Sequence, residues 1–176
     1  MSNPIKIHSA LAEAMSARSY DTMTPVQEAV LDIEQPDADL LVSAQTGSGK
    51  TLAFGLSIAT TLLQEDTEFS RPKLPVALII APTRELALQV RKELEWVYAR
   101  TNAQFASCVG GMDPRAERRT LESGAHIVVG TPGRLRDHIE RGALSLSDIK
   151  AVVLDEADEM LDMGFREDLK FILEKA

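Results

Sequence analysis

The stretch AQTGSGKT, Ala44 to Thr51, places a lysine and a hydroxyl residue directly after two closely spaced glycines. Glycine can adopt backbone torsions that point successive N–H groups toward one anion, and this spacing is typical of a phosphate-binding loop. In such a loop Lys50 contacts the β- and γ-phosphates, and the hydroxyl of Thr51 contacts Mg²⁺. An apolar run precedes the stretch and a helical pattern follows it. The sequence therefore predicts a nucleoside triphosphate site, and an ordinary glycine-rich turn is the minor alternative.

Two adjacent carboxylates, Asp155 and Glu156, end the apolar run AVVL. At the carboxyl end of a strand the chain leaves its regular alternation, so both side chains can face one ligand. Asp155 is then placed to hold Mg²⁺ through its water shell, and Glu156 to polarise the water that attacks a γ-phosphate. A carboxylate pair after a strand is often only a solvated loop start, but a phosphate loop in the same chain favours the catalytic interpretation.

Gln27 lies in TMTPVQEA, Thr22 to Ala29, and has two interpretations. Thr24 is a good N-cap, Pro25 suits the first helical position, and a glutamine three residues after the cap can complete a capping box. A carboxamide can also donate to N7 and accept from the N6 amine of adenine, a match that guanine does not offer. Both interpretations stay open on these residues alone.

The elements that must position these residues alternate between short apolar runs and amphipathic stretches. The runs predicted as buried strands are LLVSA near Leu40, VALIIA, FASCV, HIVVG and AVVL. Helical stretches lie between them, at residues 49–63, 83–99, 114–123 and 132–141. Such alternation predicts an α/β fold with a parallel sheet flanked by helices on both faces. Several helices begin with a cap residue beside a proline, as at Thr131, so their free N–H groups could bind phosphates without many lysines.

Composition limits the classes of protein. The 176 residues are 44% apolar and 26% charged, which predicts one globular domain over residues 1–176. The single cysteine, Cys108, excludes an internal disulfide and is expected to be a buried thiol. A net charge of -8 argues against a broad basic surface for nucleic acid. No apolar run reaches the about 18 residues of a membrane span, so we expect a cytoplasmic protein without membrane contact.

Taken together, these motifs resemble the first RecA-like domain of a DEAD-box ATP-dependent RNA helicase. In chain order the resemblance rests on TMTPVQ, AQTGSGKT, PTRELA (Pro82 to Ala87), Gly110-Gly111, TPGR (Thr131 to Arg134) and DEAD (Asp155 to Asp158). It covers nearly the whole chain. It implies a RecA-like P-loop NTPase fold, ATP and Mg²⁺ as cofactors, and RNA as the second ligand.

The resemblance also implies roles for individual residues on the nucleotide side. Gln27 would read adenine, and the residues that hold the phosphates would be Thr46, Gly47, Ser48, Gly49, Lys50 and Thr51. The catalytic residues would be Lys50, Asp155 and Glu156. Thr51 and Asp155 would hold Mg²⁺, partly through water, and Asp158 would couple the site to a second domain.

On the RNA side, the family's motifs touch the sugar-phosphate backbone of a single strand. The matching residues here are Thr83, Arg84, Gly110, Gly111, Thr131 and Arg134. Backbone contact through helix N-termini and a few arginines would let an acidic domain bind RNA with little sequence preference.

The chain ends before the family's Ser-Ala-Thr motif and before a second RecA-like domain with its arginine fingers. We therefore expect the isolated chain to hydrolyse ATP very slowly and not to unwind a duplex by itself. Two alternatives remain: a non-catalytic module that binds RNA or protein, and another P-loop NTPase that acts on DNA.

Overall fold

The computed structural model describes residues 7–33 and 38–176. At the centre of the described part is a parallel sheet of four short strands: β1 (Ala77–Ile80), β2 (Phe105–Cys108), β3 (Ile127–Gly130) and β4 (Ala151–Leu154). Their order across the sheet is β2-β3-β1-β4. The register aligns the last residues of all four strands in one row. The segments that follow the strands therefore all start at the same end of the sheet.

Helices cover this sheet, and four of them directly follow a strand. Within the described residues they are α1 (Ser9–Ser16), α2 (Pro25–Leu31), α3 (Lys50–Leu63), α4 (Arg84–Val97), α5 (Pro114–Ser123), α6 (Pro132–Glu140), α7 (Ala157–Asp162) and α8 (Arg166–Lys175). The four helices predicted from the sequence are confirmed to within two residues at each end. Local capping explains two of the starts, because the Thr83 hydroxyl accepts from the Leu86 N–H and the Asp113 carboxylate accepts from the Arg115 N–H.

Two apolar layers confirm that helices pack on both faces of the sheet. Neighbouring residues of a strand point to opposite faces, and Ile79 and Ile80 accordingly belong to different buried clusters. The Ile79 cluster includes residues of α1, α3 and α4, whereas the Ile80 cluster includes residues of α5, α6 and α8. The predicted α/β fold class is therefore correct, and the expected burial of Cys108 is confirmed.

The predicted strand at LLVSA is wrong. Residues 38–45 have no regular secondary structure, and the Leu41 side chain is 99% exposed. A strand requires a neighbour that pairs with its backbone groups, and among the described residues no backbone hydrogen bond joins this segment to the sheet. β4 is an edge strand with only half-buried residues. The apolar side chains of this run predicted a buried strand, but a strand forms only where its backbone groups pair with a neighbouring strand.

No helix in residues 7–33 and 38–176 is both long and apolar enough to cross a membrane. The longest, α3 and α4, have 14 residues each, whereas a spanning helix needs about 20. The cytoplasmic location stays a prediction.

Candidate functional site

The phosphate loop forms a tight turn that leads directly into α3. Gly47 and Gly49 have φ angles of +79° and +87°, the left-handed region that favours glycine. Gly49 is the N-cap of α3, so the free N–H groups of the first helical turn point back toward the loop. Thr46 and Gly47 are exposed. The hydroxyl of Ser48 is buried and has no hydrogen-bond partner among the described residues, so its hydrogen-bonding capacity is unused in this conformation.

Lys50 connects the phosphate loop to the carboxylate turn after β4. Its Nζ donates to the Ala44 carbonyl at 2.9 Å and lies 3.5 Å from Oε1 of Glu156. The two groups are 106 residues apart in sequence. Thr51 follows in the first turn of α3, so its hydroxyl is at the same helix end. The structure thus brings the two strongest sequence motifs into contact.

Asp155 and Glu156 stand at the aligned carboxyl ends of the strands. The Asp155 N–H donates to the Ile80 carbonyl at 2.9 Å, which extends the pairing of β4 by one residue. Burial raises the pKa of the Asp155 carboxyl, and the charge of Glu156 adds to this effect, while Lys50 opposes it. Among the described residues no salt bridge reaches Asp155. A buried acid without its own cation suits a divalent cation held jointly with Thr51.

Glu156 has an unusual backbone conformation for a residue with a side chain, because its φ and ψ are +53° and +51°. This left-handed turn separates β4 from α7 and directs the Glu156 side chain toward Lys50. Asp158 lies in the first turn of α7 and is exposed. An exposed position is what contact with another domain requires.

The carboxamide of Gln27 is fully buried. Its Oε1 accepts from the Thr24 N–H at 3.0 Å, and the Thr24 hydroxyl accepts from the Gln27 N–H at 3.4 Å, so the predicted capping box is confirmed. Its Nε2 also donates to the Gly49 carbonyl at 3.2 Å and to the Tyr20 hydroxyl at 3.0 Å. Gln27 therefore joins the start of α2 to the phosphate loop. Its role as the adenine reader stays a prediction, since reading a base requires release from these partners.

The residues predicted to contact RNA gather at the same end of the sheet. Arg84 packs so closely on Gly111 that a Cβ at Gly111 would lie 2.6 Å from Nη1 of Arg84. Nη1 of Arg134 donates to the Met112 carbonyl at 3.4 Å. The loop from Gly110 to Met112 thus lies between two guanidinium groups. Such a loop presents backbone groups and positive charge on one surface.

Two threonines complete this surface. Thr83 caps α4 with its hydroxyl, so that hydroxyl is already engaged. Thr131 is the N-cap of α6 but makes no side-chain cap, and its N–H donates to the Cys108 carbonyl at 3.0 Å. The Thr131 hydroxyl therefore remains available for a ligand.

A family model described as DEAD/DEAH box helicase matches residues 24–176. The chain belongs to the DEAD/DEAH box helicase family. The match includes every predicted site residue from Gln27 to Asp158, and it agrees with the expectation drawn from the six motifs.

Individual relatives place this DEAD-box domain within longer proteins. The chain is 45% identical over 166 residues to DEAD-box ATP-dependent RNA helicase 53 of Oryza sativa subsp. japonica, covering 93% of this chain and 27% of the relative. It is 42% identical to ATP-dependent RNA helicase CshA of Limosilactobacillus reuteri, covering 94% of this chain and 32% of the relative. The chain thus spans about a quarter to a third of the length of these relatives, as an N-terminal helicase domain.

A solved structure confirms the fold of the DEAD-box domain. It is the crystal structure of a DEAD box protein from the hyperthermophile Methanococcus jannaschii, with a TM-score of 0.86 and 35% sequence identity. The similarity covers 99% of this chain and 46% of that chain. The RecA-like α/β assignment therefore rests on both the sequence and the arrangement of elements.

One polar residue beside the DEAD-box site was missed by the sequence analysis. Glu117, in α5, is buried and contacts both Arg134 and His138. A signal for it existed, because Glu117 is four residues before the buried Leu121 and so shares the helix face that packs on the sheet. An acid on an apolar helix face indicates a specific partner.

Proposed function

We propose that the chain is the ATP-binding half of a DEAD-box RNA helicase. The observation that carries the proposal is the approach of Lys50 Nζ to Glu156 Oε1 at 3.5 Å. The Lys50 ammonium group, which can bind phosphate oxygens, lies beside the Glu156 carboxylate, which can activate water. Both groups lie at the end of the sheet where parallel α/β folds bind ligands. With a second RecA-like domain, the chain couples ATP hydrolysis to local unwinding of an RNA duplex.

The nucleotide is bound by the phosphate loop. Residues 46–49 and the first N–H groups of α3 surround the phosphates, and Lys50 exchanges its contacts with Ala44 and Glu156 for phosphate oxygens. Thr51 and Asp155 would hold Mg²⁺, which would supply neutralisation of the phosphate charge. Glu156, released from Lys50, accepts a proton from the attacking water.

RNA binds through its backbone at the surface formed by Arg84, Gly110, Gly111, Thr131 and Arg134. The net charge of -8 limits the number of phosphates that this domain neutralises, so the salt dependence of RNA binding is shallow. Contact with phosphates rather than base edges gives little sequence preference. Asp158, exposed at the start of α7, couples this domain to the second one.

The proposed division of labour predicts very different turnover for the isolated chain and for a chain that also carries a second RecA-like domain. An arginine finger from that domain raises phosphoryl transfer by about 10³–10⁵-fold, so the isolated chain is expected to show almost no RNA-stimulated ATP hydrolysis. The measurement is phosphate release with and without single-stranded RNA. Strong stimulation of the isolated 176-residue chain would contradict this prediction.

The same assay separates the proposal from other functions. No RNA-stimulated turnover by the two-domain chain would indicate a binding module without catalysis. Stimulation by DNA strands that equals or exceeds stimulation by RNA strands would indicate a DNA translocase instead.

Gln27 is proposed to read adenine, and this predicts a loss of base selectivity in Gln27→Ala. We expect the unsubstituted chain to bind ADP at least about tenfold more tightly than GDP, equivalent to one good bidentate base contact, and the variant to bind both alike. Calorimetric titration with magnesium measures both affinities. Loss of the capping box alone costs about 1 kcal/mol, so a lower melting temperature with unchanged selectivity would show that Gln27 is only structural.

A further inference from the structure

The carboxylate of Glu117 connects three elements under the proposed RNA surface. Its Oε1 accepts from the Val109 N–H at 2.8 Å, directly before the Gly110-Gly111 loop. Its Oε2 lies 2.7 Å from Nε2 of His138 and 3.3 Å from Nη1 of Arg134. The Glu117 side chain is only 3% exposed. One buried acid of α5 thus holds the end of β2 and two side chains of α6.

A metal site is the first alternative for this cluster, and the contacts argue against it. Donor atoms of Cys108, Glu117 and His138 lie within 4.8 Å of one another, and these are ligand types that bind zinc. However, both Glu117 oxygens already accept hydrogen bonds, and the Arg134 guanidinium brings a positive charge to the position where a cation would bind. Arginine is the cation that this carboxylate holds.

The contact with Glu117 restrains the orientation of the Arg134 guanidinium group. Both of its hydrogen bonds within the described part of the chain use Nη1, to the Met112 carbonyl and to Oε2 of Glu117. The Arg134 side chain is 17% exposed. Two protein acceptors fix Nη1 of Arg134. Because the guanidinium group is planar, its remaining N–H groups are held in one orientation and can donate to a phosphate.

We propose that Glu117 is a positioning residue for RNA binding, which fixes the Arg134 fork and the Gly110-Gly111 loop in the geometry that one RNA phosphate group requires. The proposal rests on the proposed function, because it assumes that this surface binds RNA. It assigns Glu117 a role through Arg134 and Val109 and not through direct contact with RNA. A buried anion beneath a phosphate-binding surface is otherwise unfavourable, since it repels the ligand.

The test is RNA binding by Glu117→Gln, which keeps the shape of the side chain and removes its charge. We expect the affinity of this chain for a single-stranded RNA to fall about tenfold, the order of one charge-assisted contact. Arg134→Gln is expected to cause a similar loss, and the double variant to bind no more weakly than Arg134→Gln alone, because the amide oxygen of glutamine can still accept from the Val109 N–H and the lost charge acts only through Arg134. Fluorescence anisotropy at several salt concentrations gives the affinities, and ADP titration is expected to show no change.

The control is Glu122→Gln on the same helix. Glu122 forms an exposed pair with Arg118 at 2.7 Å, so this variant makes the same change in net charge away from the cluster. Removing a negative charge should by itself tighten RNA binding or leave it unchanged. The expected loss in Glu117→Gln therefore has the opposite sign to a general electrostatic effect. Unchanged or tighter RNA binding by folded Glu117→Gln would overturn the proposal, as would additive losses in the double variant.

A second variant keeps the proposal testable if Glu117→Gln does not fold. Arg134→Lys retains the positive charge and leaves Glu117 intact, but it replaces the fixed fork with a flexible point charge. We expect it to lose nearly as much RNA affinity as Arg134→Gln, and full retention of affinity would overturn the proposal. Absence of RNA binding by the unsubstituted chain would instead overturn the proposed function together with this proposal.

Discussion

Replacing Glu156 with glutamine is expected to lower ATP turnover by about 10²–10⁴-fold, the usual contribution of a positioned general base. The substitution keeps the length and shape of the side chain but removes its ability to accept a proton from water. The variant should be made in a chain that carries the second RecA-like domain, where RNA-stimulated turnover is measurable. Phosphate release gives the rate, and titrations of ATP and RNA give the two affinities.

Binding of ATP and RNA is expected to survive this substitution. The ion pair between Lys50 and Glu156 is partly exposed, with side-chain exposures of 22% and 26%, and such pairs contribute at most about 1 kcal/mol. Losing the pair releases Lys50 for the phosphates, so ATP affinity should stay the same or rise slightly. The left-handed backbone at residue 156 costs glutamine about as much as glutamate, because both have an unbranched side chain.

A matched control for this variant is Glu159→Gln, an exposed acid one turn later in α7. It removes the same charge without touching Lys50, and we expect normal turnover. If Glu156→Gln retains its rate, Glu156 does not activate the water. If instead it loses ATP binding, the contact with Lys50 has a structural importance that the proposed mechanism does not include.

The sequence predicted the parallel sheet, the helices on both faces and one nucleotide site shared by the phosphate loop and the carboxylates, because these follow from local patterns. Both motifs were expected to follow strands of one parallel sheet, and Lys50 lies beside Glu156 although the segment before the phosphate loop does not pair with the sheet. The predicted strand at residues 40–44 is wrong because it depends on a property that is not local. Its apolar side chains are a local property, but strand formation depends on a pairing partner elsewhere in the chain.

The cluster around Glu117 shows a second limit of sequence reasoning. Its members come from β2, α5 and α6, and each alone has an ordinary interpretation: a buried thiol at Cys108, a helical acid at Glu117, and a helical histidine at His138. Only the packing of α5 and α6 against β2 brings their polar atoms together. Gln27 is an intermediate case, since the capping box was visible in the sequence and its bond to the Gly49 carbonyl was not.

Gly49→Ala is expected to destabilise the fold by about 2–5 kcal/mol, measured as a lower melting temperature without nucleotide. Two costs add. The φ of +87° costs alanine about 1–2 kcal/mol in the left-handed region. The new Cβ would also lie 2.5 Å from Nε2 of Gln27 and 3.1 Å from the Thr24 hydroxyl oxygen, so the capping box must move, at about 1–3 kcal/mol for such overpacking.

Gly47→Ala separates these two costs. Gly47 has a similar φ of +79°, but a Cβ there meets nothing within 4 Å, so only the backbone cost of about 1–2 kcal/mol applies. For a chain of this size each kcal/mol lowers the melting temperature by about 2–4 °C, and we expect the Gly49 variant to lose about twice as much as the Gly47 variant. In a Gln27→Ala background the difference should shrink, because the clashing amide is gone and only the 3.1 Å approach to the Thr24 hydroxyl oxygen remains. A difference that persists undiminished there would mean that Gln27 does not hold the phosphate loop, and the link between the start of α2 and the nucleotide site would have to run through other atoms.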